Sequence, residues 1–437
     1  MTTAPPLADP LPIPPALAPV RGTAPVPGSK SITNRALALA ALADGETTIT
    51  NALFADDTAR MRDCLRALGF SVNADADAET VWVGGRGGVI PAREAHLFVG
   101  NSGTTGRFIT PLAALGTGDF VIDGDPRMRA RPLGDLLVAL RDLGVEAESV
   151  AGTGCPPIRM AARGLHGGTC HVRADTSSQF LSGLLLAAPC ASGDTIIHLD
   201  GPILSAPYIA LTTRMLRDFG GTLTVSDDGR MFTVSGGQTY RAQPNYPVEP
   251  DASAASYFWA AAALTGGAVT VPGIGANALQ GDAAFVNVLA AMGCAVTKTA
   301  DAVTVAGTGT LRGGTFDMNA ISDTVMTLAA IAPFAESPTV IENVAHIRHK
   351  ETDRLAAVAA ELARLGVRVD ERADGLTIYP TSRIVPREPV HTYDDHRMAM
   401  AFALVGLRVP GVQIANPACV HKTFPDYFAR LFRLTGG

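Results

Sequence analysis

Five times this chain repeats the pattern Leu-x-x-apolar-Gly: Leu65–Gly69, Leu140–Gly144, Leu216–Gly220, Leu289–Gly293 and Leu362–Gly366. The steps between the glycines are 75, 76, 73 and 73 residues, and a further step of 70 reaches Gly436 behind the helical-looking run Tyr427–Leu434. A glycine in that place supplies the left-handed residue that ends a helix. After each of the first five comes a hairpin-like stretch: Val72 to Val83, Val145 to Met160, Thr222 to Val234, Ala295 to Val305 and Val367 to Ile378. The chain therefore reads as six copies of one unit of about 73 residues, which places equivalent loops in equivalent positions.

Each unit also holds an alanine-rich apolar run, such as Ala36–Ala43, Phe258–Leu264 or Met398–Leu404. These are too apolar for a surface helix and predict helices buried on all sides. The runs open on small polar residues: Ser29-Lys30-Ser31, Asn101-Ser102-Gly103-Thr104, Thr176-Ser177-Ser178-Gln179, Asp251-Ala252-Ser253, Ser322-Asp323-Thr324 and Asp394-Asp395-His396-Arg397. Ser, Asn, Asp and Thr are helix N-caps, and a helix N-terminus attracts anions. Short β-branched strands follow at Thr47–Thr50, Phe120–Ile122, Thr195–His198, Val269–Val271, Thr339–Ile341 and Val412–Ile414. The unit is buried helix, strand, outer helix, hairpin.

Composition narrows the function. With 47% hydrophobic and 17% charged residues, much of the 437-residue chain is interior, and its length suggests two or three domains. The apolar runs are broken short of the ~18–20 residues that cross a membrane. Met1 to Pro19 is proline-rich and unlike a signal peptide, and residues 1 to about 12 are expected to form a disordered tail. Six scattered cysteines without C-x-x-C spacing argue for reduced thiols in a cytoplasm, against a disulfide framework and against zinc. A net charge of −6 argues against a nucleic-acid surface.

Against that acidic background, cations crowd the openings: Lys30, Arg35, Arg107, Arg127, Arg131, Lys350, Arg354, Arg397 and Lys422. Of the 35 lysines and arginines only Lys30, Lys298, Lys350 and Lys422 are lysines, and three of those four lie in polar motifs where a compact ammonium suits. Such a set implies one or two strongly anionic small ligands, since arginine pairs with carboxylate or phosphate bidentately. Ser177, Ser178 and Gln179 suit a phosphate or polyol pocket. Asp323 and Glu351 supply carboxylates for proton transfer. Gly28-Ser-Lys-Ser is not a P-loop, which needs glycine directly before the lysine.

Seven motifs carry a resemblance. They are Pro27-Gly-Ser-Lys-Ser-Ile-Thr-Asn-Arg35, Gly100-Asn-Ser-Gly-Thr-Thr-Gly-Arg107, Pro126-Arg-Met-Arg-Ala-Arg-Pro132, Ser177-Ser-Gln179, Lys350-Glu-Thr-Asp-Arg-Leu355, Asp395-His-Arg-Met-Ala-Met400 and Lys422-Thr-Phe-Pro-Asp-Tyr427. In this order, from about Gly22 to the C-terminus, the chain resembles the 5-enolpyruvylshikimate-3-phosphate synthases, the family inhibited by glyphosate. The resemblance implies an α/β fold, a two-domain inside-out α/β barrel of six βαβαββ-type repeats, three per domain, around buried helices. It implies domains of 1–28 plus 249–437 and of 29–248. It also implies transfer of the enolpyruvyl group of phosphoenolpyruvate to the 5-hydroxyl of shikimate 3-phosphate, with release of phosphate. The route would be addition and elimination through a tetrahedral intermediate, without metal or organic cofactor, in a cytoplasmic monomer.

The implied residues follow by position. Shikimate 3-phosphate would be held by Lys30, Ser31, Arg35, Ser177, Ser178, Gln179, Ser205, Tyr208, Asp323, His346 and Lys350. Phosphoenolpyruvate would be held by Lys30, Asn101, Gly103, Arg127, Gln179, Arg354, Arg397 and Lys422. Asp323, Glu351 and Lys30 would be catalytic, Asp323 taking the hydroxyl proton and Glu351 protonating the methylene carbon. Because these residues come from both halves and the chain crosses twice, ligands are expected to favour a closed state. Three positions depart from common family usage: His346 where the family often has Asn, Ser102 where many members have Ala, and Phe108 where some have Pro. The sister family, UDP-N-acetylglucosamine enolpyruvyl transferase, has Asn after the early lysine and a reactive loop cysteine. Here Ser31 follows Lys30, and Val99–Arg131 contains no cysteine. A non-catalytic repeat scaffold would explain the cadence, but not Asp323, Glu351 and the clustered cations.

Overall fold

The computed structural model describes residues 7–173 and 177–436. Each Leu-x-x-apolar-Gly pattern ends a helix by one device. The glycines Gly69, Gly144, Gly220, Gly293 and Gly366 have φ between +81° and +104°. The amide after the glycine donates to the pattern's leucine carbonyl (Phe70 to Leu65, Val145 to Leu140, Gly221 to Leu216, Cys294 to Leu289, Val367 to Leu362) at 2.9–3.1 Å. The glycine amide donates to the carbonyl one residue after the leucine at 2.8–3.0 Å. These two bonds close orphan carbonyls in a Schellman motif. The cadence is thus a repeated helix stop, and the chain turns into a hairpin at the same point in five units.

The alanine-rich runs form α1 (Lys30–Leu42), α2 (Gly103–Ala114), α3 (Ser178–Ala187), α4 (Ala252–Thr265), α5 (Val325–Ile331) and α6 (His396–Gly406). Their residues are buried almost without exception. Alanine and glycine let such helices approach closely, and α1, α2 and α3 pack on one another, as do α4, α5 and α6. Five are capped by side chains as expected. Ser29 accepts from Ile32 N, Ser102 from Thr105 N, Ser177 from Gln179 N, Asp251 from Ala254 N and Asp395 from Arg397 N. Thr176, which was expected in the third opening, lies outside the described residues.

Around each trio stand sheets of one plan. In three repeats the strand after the buried helix pairs in parallel with the strand before that helix. Its other edge pairs antiparallel with a hairpin. Thr117–Asp123, for example, lies parallel to Glu94–Phe98 and antiparallel to Ile158–Arg163. In two other repeats the parallel partners come from far away in sequence. Arg21–Thr23 pairs with Ala268–Pro272, while Tyr240–Arg241 and Tyr246–Pro247 pair with Ala43–Thr50. The N-terminal strand thereby joins the C-terminal repeats. The chain divides into two compact units, Met1–Pro27 with Pro250–Gly437, and Gly28–Glu249. At the crossing, a Cβ on Gly28 would lie 1.9 Å from the Asn51 carbonyl oxygen, so only glycine fits.

The sixth repeat corrects one expectation. Residues 1–6 lie outside the described region, but residues 7–12 are not a disordered tail. Leu11–Pro12 pairs antiparallel with Gln413–Ile414, Ile13 N donates to Val412 O at 3.0 Å, and Leu11 and Ile13 are buried. The other five repeats cover this strand edge with their own hairpins. In the sixth, the chain's beginning fills it, which removes an open edge.

Candidate active site

In the unit that contains α4, α5 and α6, the fifth polar opening departs from the expected cap. Asp323 lies in a 3-10 turn, Asn319–Thr324, ahead of α5. Thr324 stands at the N-cap position without a side-chain cap bond. The Asp323 carboxylate instead accepts from Lys350 Nζ at 2.5 Å, Arg354 Nη1 at 3.2 Å and Arg397 Nη2 at 2.7 Å. Charge-assisted bonds of this kind outweigh a single backbone cap.

Arg354 is the hub. It opens the outer helix Arg354–Arg364, with Asp353 as N-cap. It reaches Glu351 Oε2 at 2.8 Å, and Asp395 at 2.7 Å through Nε and 3.3 Å through Nη2. Burial alone would loosen its proton, but Asp395, Glu351 and Asp323 hold it more tightly than in a free arginine. Asp395 also caps α6 through Arg397 N at 2.9 Å, so one carboxylate fixes both arginines. Lys350, Arg354 and Arg397 face Asp323, Glu351 and Asp395: three cations and three carboxylates. Burial pulls the Lys350 ammonium below its ordinary pKa, against the pull of Asp323.

His346 sits in the 3-10 turn Ala345–His349. Burial first, and then the charge of Lys350, push its pKa down to about 3. It is thereby held as a neutral hydrogen-bonding group. Asp282 is buried beside the first turn of α4, where Ser253 Oγ donates to it. Burial and then Asp323 raise its pKa to about 6. Lys422 ends the 3-10 turn Pro417–Lys422 and is buried, so it is not the solvated terminal lysine that a C-terminal loop would ordinarily carry.

The other unit gathers the remaining candidates. Lys30 opens α1 and lies 3.4 Å from Asp57. Arg35, one turn later, is wholly buried. It donates to Ser31 O at 2.9 Å, Thr212 Oγ1 at 2.8 Å, and Ser182 Oγ and Tyr208 O at 3.3 Å. Its guanidinium stands over the Phe108 ring at 5.0 Å. Burial lowers its pKa to about 10, with Tyr208 opposing. All the acceptors in these bonds are neutral, so among the described residues the charge is solvated by dipoles.

In the second opening, Arg131 Nη1 donates to Asn101 O at 3.0 Å and to Asn101 Oδ1 at 3.2 Å, and Arg107 Nη1 donates to Gly103 O at 3.1 Å. A Cβ on Gly103 would come within 2.3 Å of Arg131 Nη2 and 2.4 Å of Arg107 Nη1. The glycine therefore lets two guanidinium groups close over a helix N-terminus. Arg127 is half-buried just before the 3-10 turn Met128–Ala130. Gln179 Nε2 donates to Thr104 Oγ1 at 3.3 Å, which links the second and third openings. Ser178 is buried at the start of α3. Ser205 is buried in a left-handed conformation, φ +51°, as N-cap of the helix Ala206–Asp218 that carries Tyr208.

Within one unit, then, Asp323, Lys350, Glu351, Arg354 and Arg397 form a single bonded cluster, with His346 and Lys422 in the same unit. Lys30, Ser31, Arg35, Asn101, Gly103, Arg127, Ser177, Ser178, Gln179, Ser205 and Tyr208 belong to the other. Sequence alone does not mark Asp57 or Asp282 as partners of the site, because an isolated aspartate carries no signal of what it faces, and it shows Asp395 as a cap but not as the partner of Arg354. Among the described residues no group of three His, Cys, Asp or Glu side chains is placed to hold a metal ion, and no helix is long and apolar enough to cross a membrane.

The chain is also similar to known proteins along nearly its whole length. The EPSP synthase (3-phosphoshikimate 1-carboxyvinyltransferase) family matches residues 15–431. The chain is 48% identical over 430 residues to a 3-phosphoshikimate 1-carboxyvinyltransferase of Trichormus variabilis, covering 98% of this chain and 100% of that protein. It is 44% identical over 431 residues to the chloroplastic enzyme of Arabidopsis thaliana, covering 95% and 83%. In structure it is similar to the EPSP synthase of Acinetobacter baumannii, with a TM-score of 0.79, 28% identity and 97% of each chain covered. The enolpyruvyl transferase NikO of Streptomyces tendae shares the fold, with a TM-score of 0.75, 20% identity and 96% of each chain covered. The two-unit α/β architecture, the ordered motifs and these likenesses agree: the chain belongs to the EPSP synthase family.

Proposed function

We propose that the Asp323–Glu351–Arg354 cluster performs the proton transfers of the family's reaction, in which the enolpyruvyl group of phosphoenolpyruvate passes to the 5-hydroxyl of shikimate 3-phosphate and phosphate leaves. The observation that carries this reading is a carboxylate, Asp323, held by three cations, with a second carboxylate, Glu351, on one of the same arginines. An anionic substrate can take the place of Asp323 at Arg397 and Lys350. The carboxylate is then released to accept a proton.

In the addition step Asp323 takes the 5-hydroxyl proton, the oxygen bonds to C2 of phosphoenolpyruvate as its C=C bond opens, and Glu351, in its carboxylic-acid form, delivers a proton to the methylene carbon. In the elimination step Glu351 recovers a proton from that methyl group, the C=C bond re-forms as the C–O bond to phosphate breaks, and the leaving phosphate takes the proton held by Asp323. The tetrahedral intermediate bears a phosphate and a carboxylate on one carbon. Fixed guanidinium groups and helix N-termini stabilise such charge without reorganising. In this reading Arg127, Arg354, Arg397, Lys422, Lys30, Asn101, Gly103 and Gln179 hold phosphoenolpyruvate. Lys30, Ser31, Arg35, Ser177, Ser178, Gln179, Ser205, Tyr208, Asp323, His346 and Lys350 hold shikimate 3-phosphate. Arg35 reaches an anion only by exchanging some of its neutral acceptors for it. The enzyme works as a cytoplasmic monomer, which sedimentation of the purified protein tests.

The deciding experiment measures phosphate release from phosphoenolpyruvate with either shikimate 3-phosphate or UDP-N-acetylglucosamine as acceptor. Turnover with shikimate 3-phosphate alone is expected. Turnover with the UDP-sugar, or with neither acceptor, would refute the reading.

A further inference from the structure

Immediately before Asp395 the backbone does something that ordinary residues avoid. Tyr393 and Asp394 both have positive φ, +54° and +55°. Each non-glycine residue in that region is disfavoured by roughly tenfold, and two in succession persist only when their surroundings hold them. The turn ends at Asp395, which caps α6 and binds Arg354. Arg397, two residues on, binds Asp323. Where this turn points therefore decides where Asp395 and Arg397 stand.

What holds the turn lies outside the cation cluster. Glu361 is only 1% exposed. Its Oε1 accepts from Tyr393 Oη at 2.8 Å and its Oε2 from His391 N at 3.0 Å. Arg364 stands 3.7 Å from the same carboxylate. Asn416 Nδ2 donates to Asp394 Oδ1 from a third segment. Glu361 and Arg354 are seven residues apart on one helix, two turns, and so share a face. That helix grips the 391–397 segment at three points, with Arg354 on Asp395, with Glu361 on Tyr393 Oη and His391 N, and with Arg364 Nη1 3.3 Å from His391 Nδ1.

We propose that Glu361 and Tyr393 are positioning residues for the enolpyruvyl-transfer site: their hydrogen bond holds the left-handed turn that sets Asp395 and Arg397. The reaction uses neither side chain directly. The inference rests on the role proposed above for Arg397, and phosphate release by the wild-type enzyme tests that role separately.

The test is Tyr393→Phe, which removes one hydroxyl from a partly exposed ring. Steady-state kinetics with each substrate varied, direct titration of shikimate 3-phosphate, and thermal melting are compared with wild type. A hydrogen bond to a buried carboxylate corresponds to roughly tenfold or more. The expected result is a fall of about that size in kcat/KM for phosphoenolpyruvate, with the dissociation constant of shikimate 3-phosphate unchanged. Glu361→Gln, whose amide nitrogen donates where an oxygen accepted, shifts the same ratio in the same direction. A bond that only stabilises the fold would lower the melting temperature and leave both substrate constants alone. That outcome, or an equal loss for both substrates, would overturn the proposal.

Discussion

Asp323→Asn separates the charge of Asp323 from its chemistry. In the wild-type cluster Asp323 shares Lys350, Arg354 and Arg397 at 2.5–3.2 Å, so three cations balance three carboxylates. The amide keeps the shape and removes one negative charge, leaving a net positive site. An anionic substrate then has one fewer competitor for Arg397 and Lys350. One unit charge about 5 Å away, at an effective dielectric constant of about 20, is worth about 3 kcal/mol. The amide oxygen still engages one cation, and solvent screens part of the rest. Half of that figure remains, about tenfold in affinity. Loss of the general base lowers kcat by about 10²–10⁴-fold. The signature is opposed: phosphoenolpyruvate binds more tightly while turnover collapses. Calorimetric titration of phosphoenolpyruvate in the presence of shikimate 3-phosphate reads the first, and phosphate release reads the second. A kcat near wild type would remove Asp323 from proton transfer. Weaker phosphoenolpyruvate binding would show that Asp323 organises the cations rather than competing for them.

Lys422→Met is expected to weaken phosphoenolpyruvate use and lower kcat, with shikimate 3-phosphate affinity within a few-fold of wild type. Lys422→Arg restores only part, since a planar guanidinium does not replace a point charge; wild-type kinetics in the Met variant would refute the role. His346, held neutral with a pKa of about 3 against an ordinary 6.5, binds fewer protons folded than unfolded between those values. Its contribution is therefore present above pH 6.5 and is lost as pH falls toward 3. His346→Asn should flatten the rise of denaturation midpoint with pH across that window, and an unchanged slope would count against a buried neutral imidazole. Asp282, raised from 3.8 to about 6, acts in the opposite sense: it favours the folded state below 3.8 and loses that effect as pH rises through 6. Asp282→Asn should therefore steepen the rise between those values, as read by the same denaturation series. Gly144→Ala meets nothing within 4 Å of the new Cβ, so only its φ of +82° opposes it, at about 1 kcal/mol. Gly28→Ala, with a backbone oxygen 1.9 Å away, should fail to fold, and melting curves of the two variants test that contrast.

Much of the site was legible because chemistry and spacing coincide in short segments. The caps Ser29, Ser102, Ser177, Asp251 and Asp395 stand where a polar residue meets an apolar run, a local rule that the structure obeys. Asp323 fits the same local rule yet escapes it, because three cations brought from residues 350, 354 and 397 bind its carboxylate more strongly than a backbone amide does. Glu361 reads as one more charge on an amphipathic helix. Only folding shows that it is buried and that it faces Tyr393 and His391 thirty residues away.

The sequence by itself determined the repeat, the helix stops and the buried helices. Each of these follows from contacts within a few residues: a leucine carbonyl and a glycine, a cap and its helix, an uninterrupted apolar run. The tertiary structure decided which strands complete which sheets. Arg21–Thr23 serves a helix more than two hundred residues later, Tyr246–Pro247 returns to the first strand of its own unit, and Leu11–Pro12 covers the edge that the sixth repeat leaves open. Strand pairing joins interchangeable backbone amides and carbonyls, so a two- or three-residue strand carries no address for its partner. The packed helices beneath it supply that address, by leaving one unpaired edge within its reach.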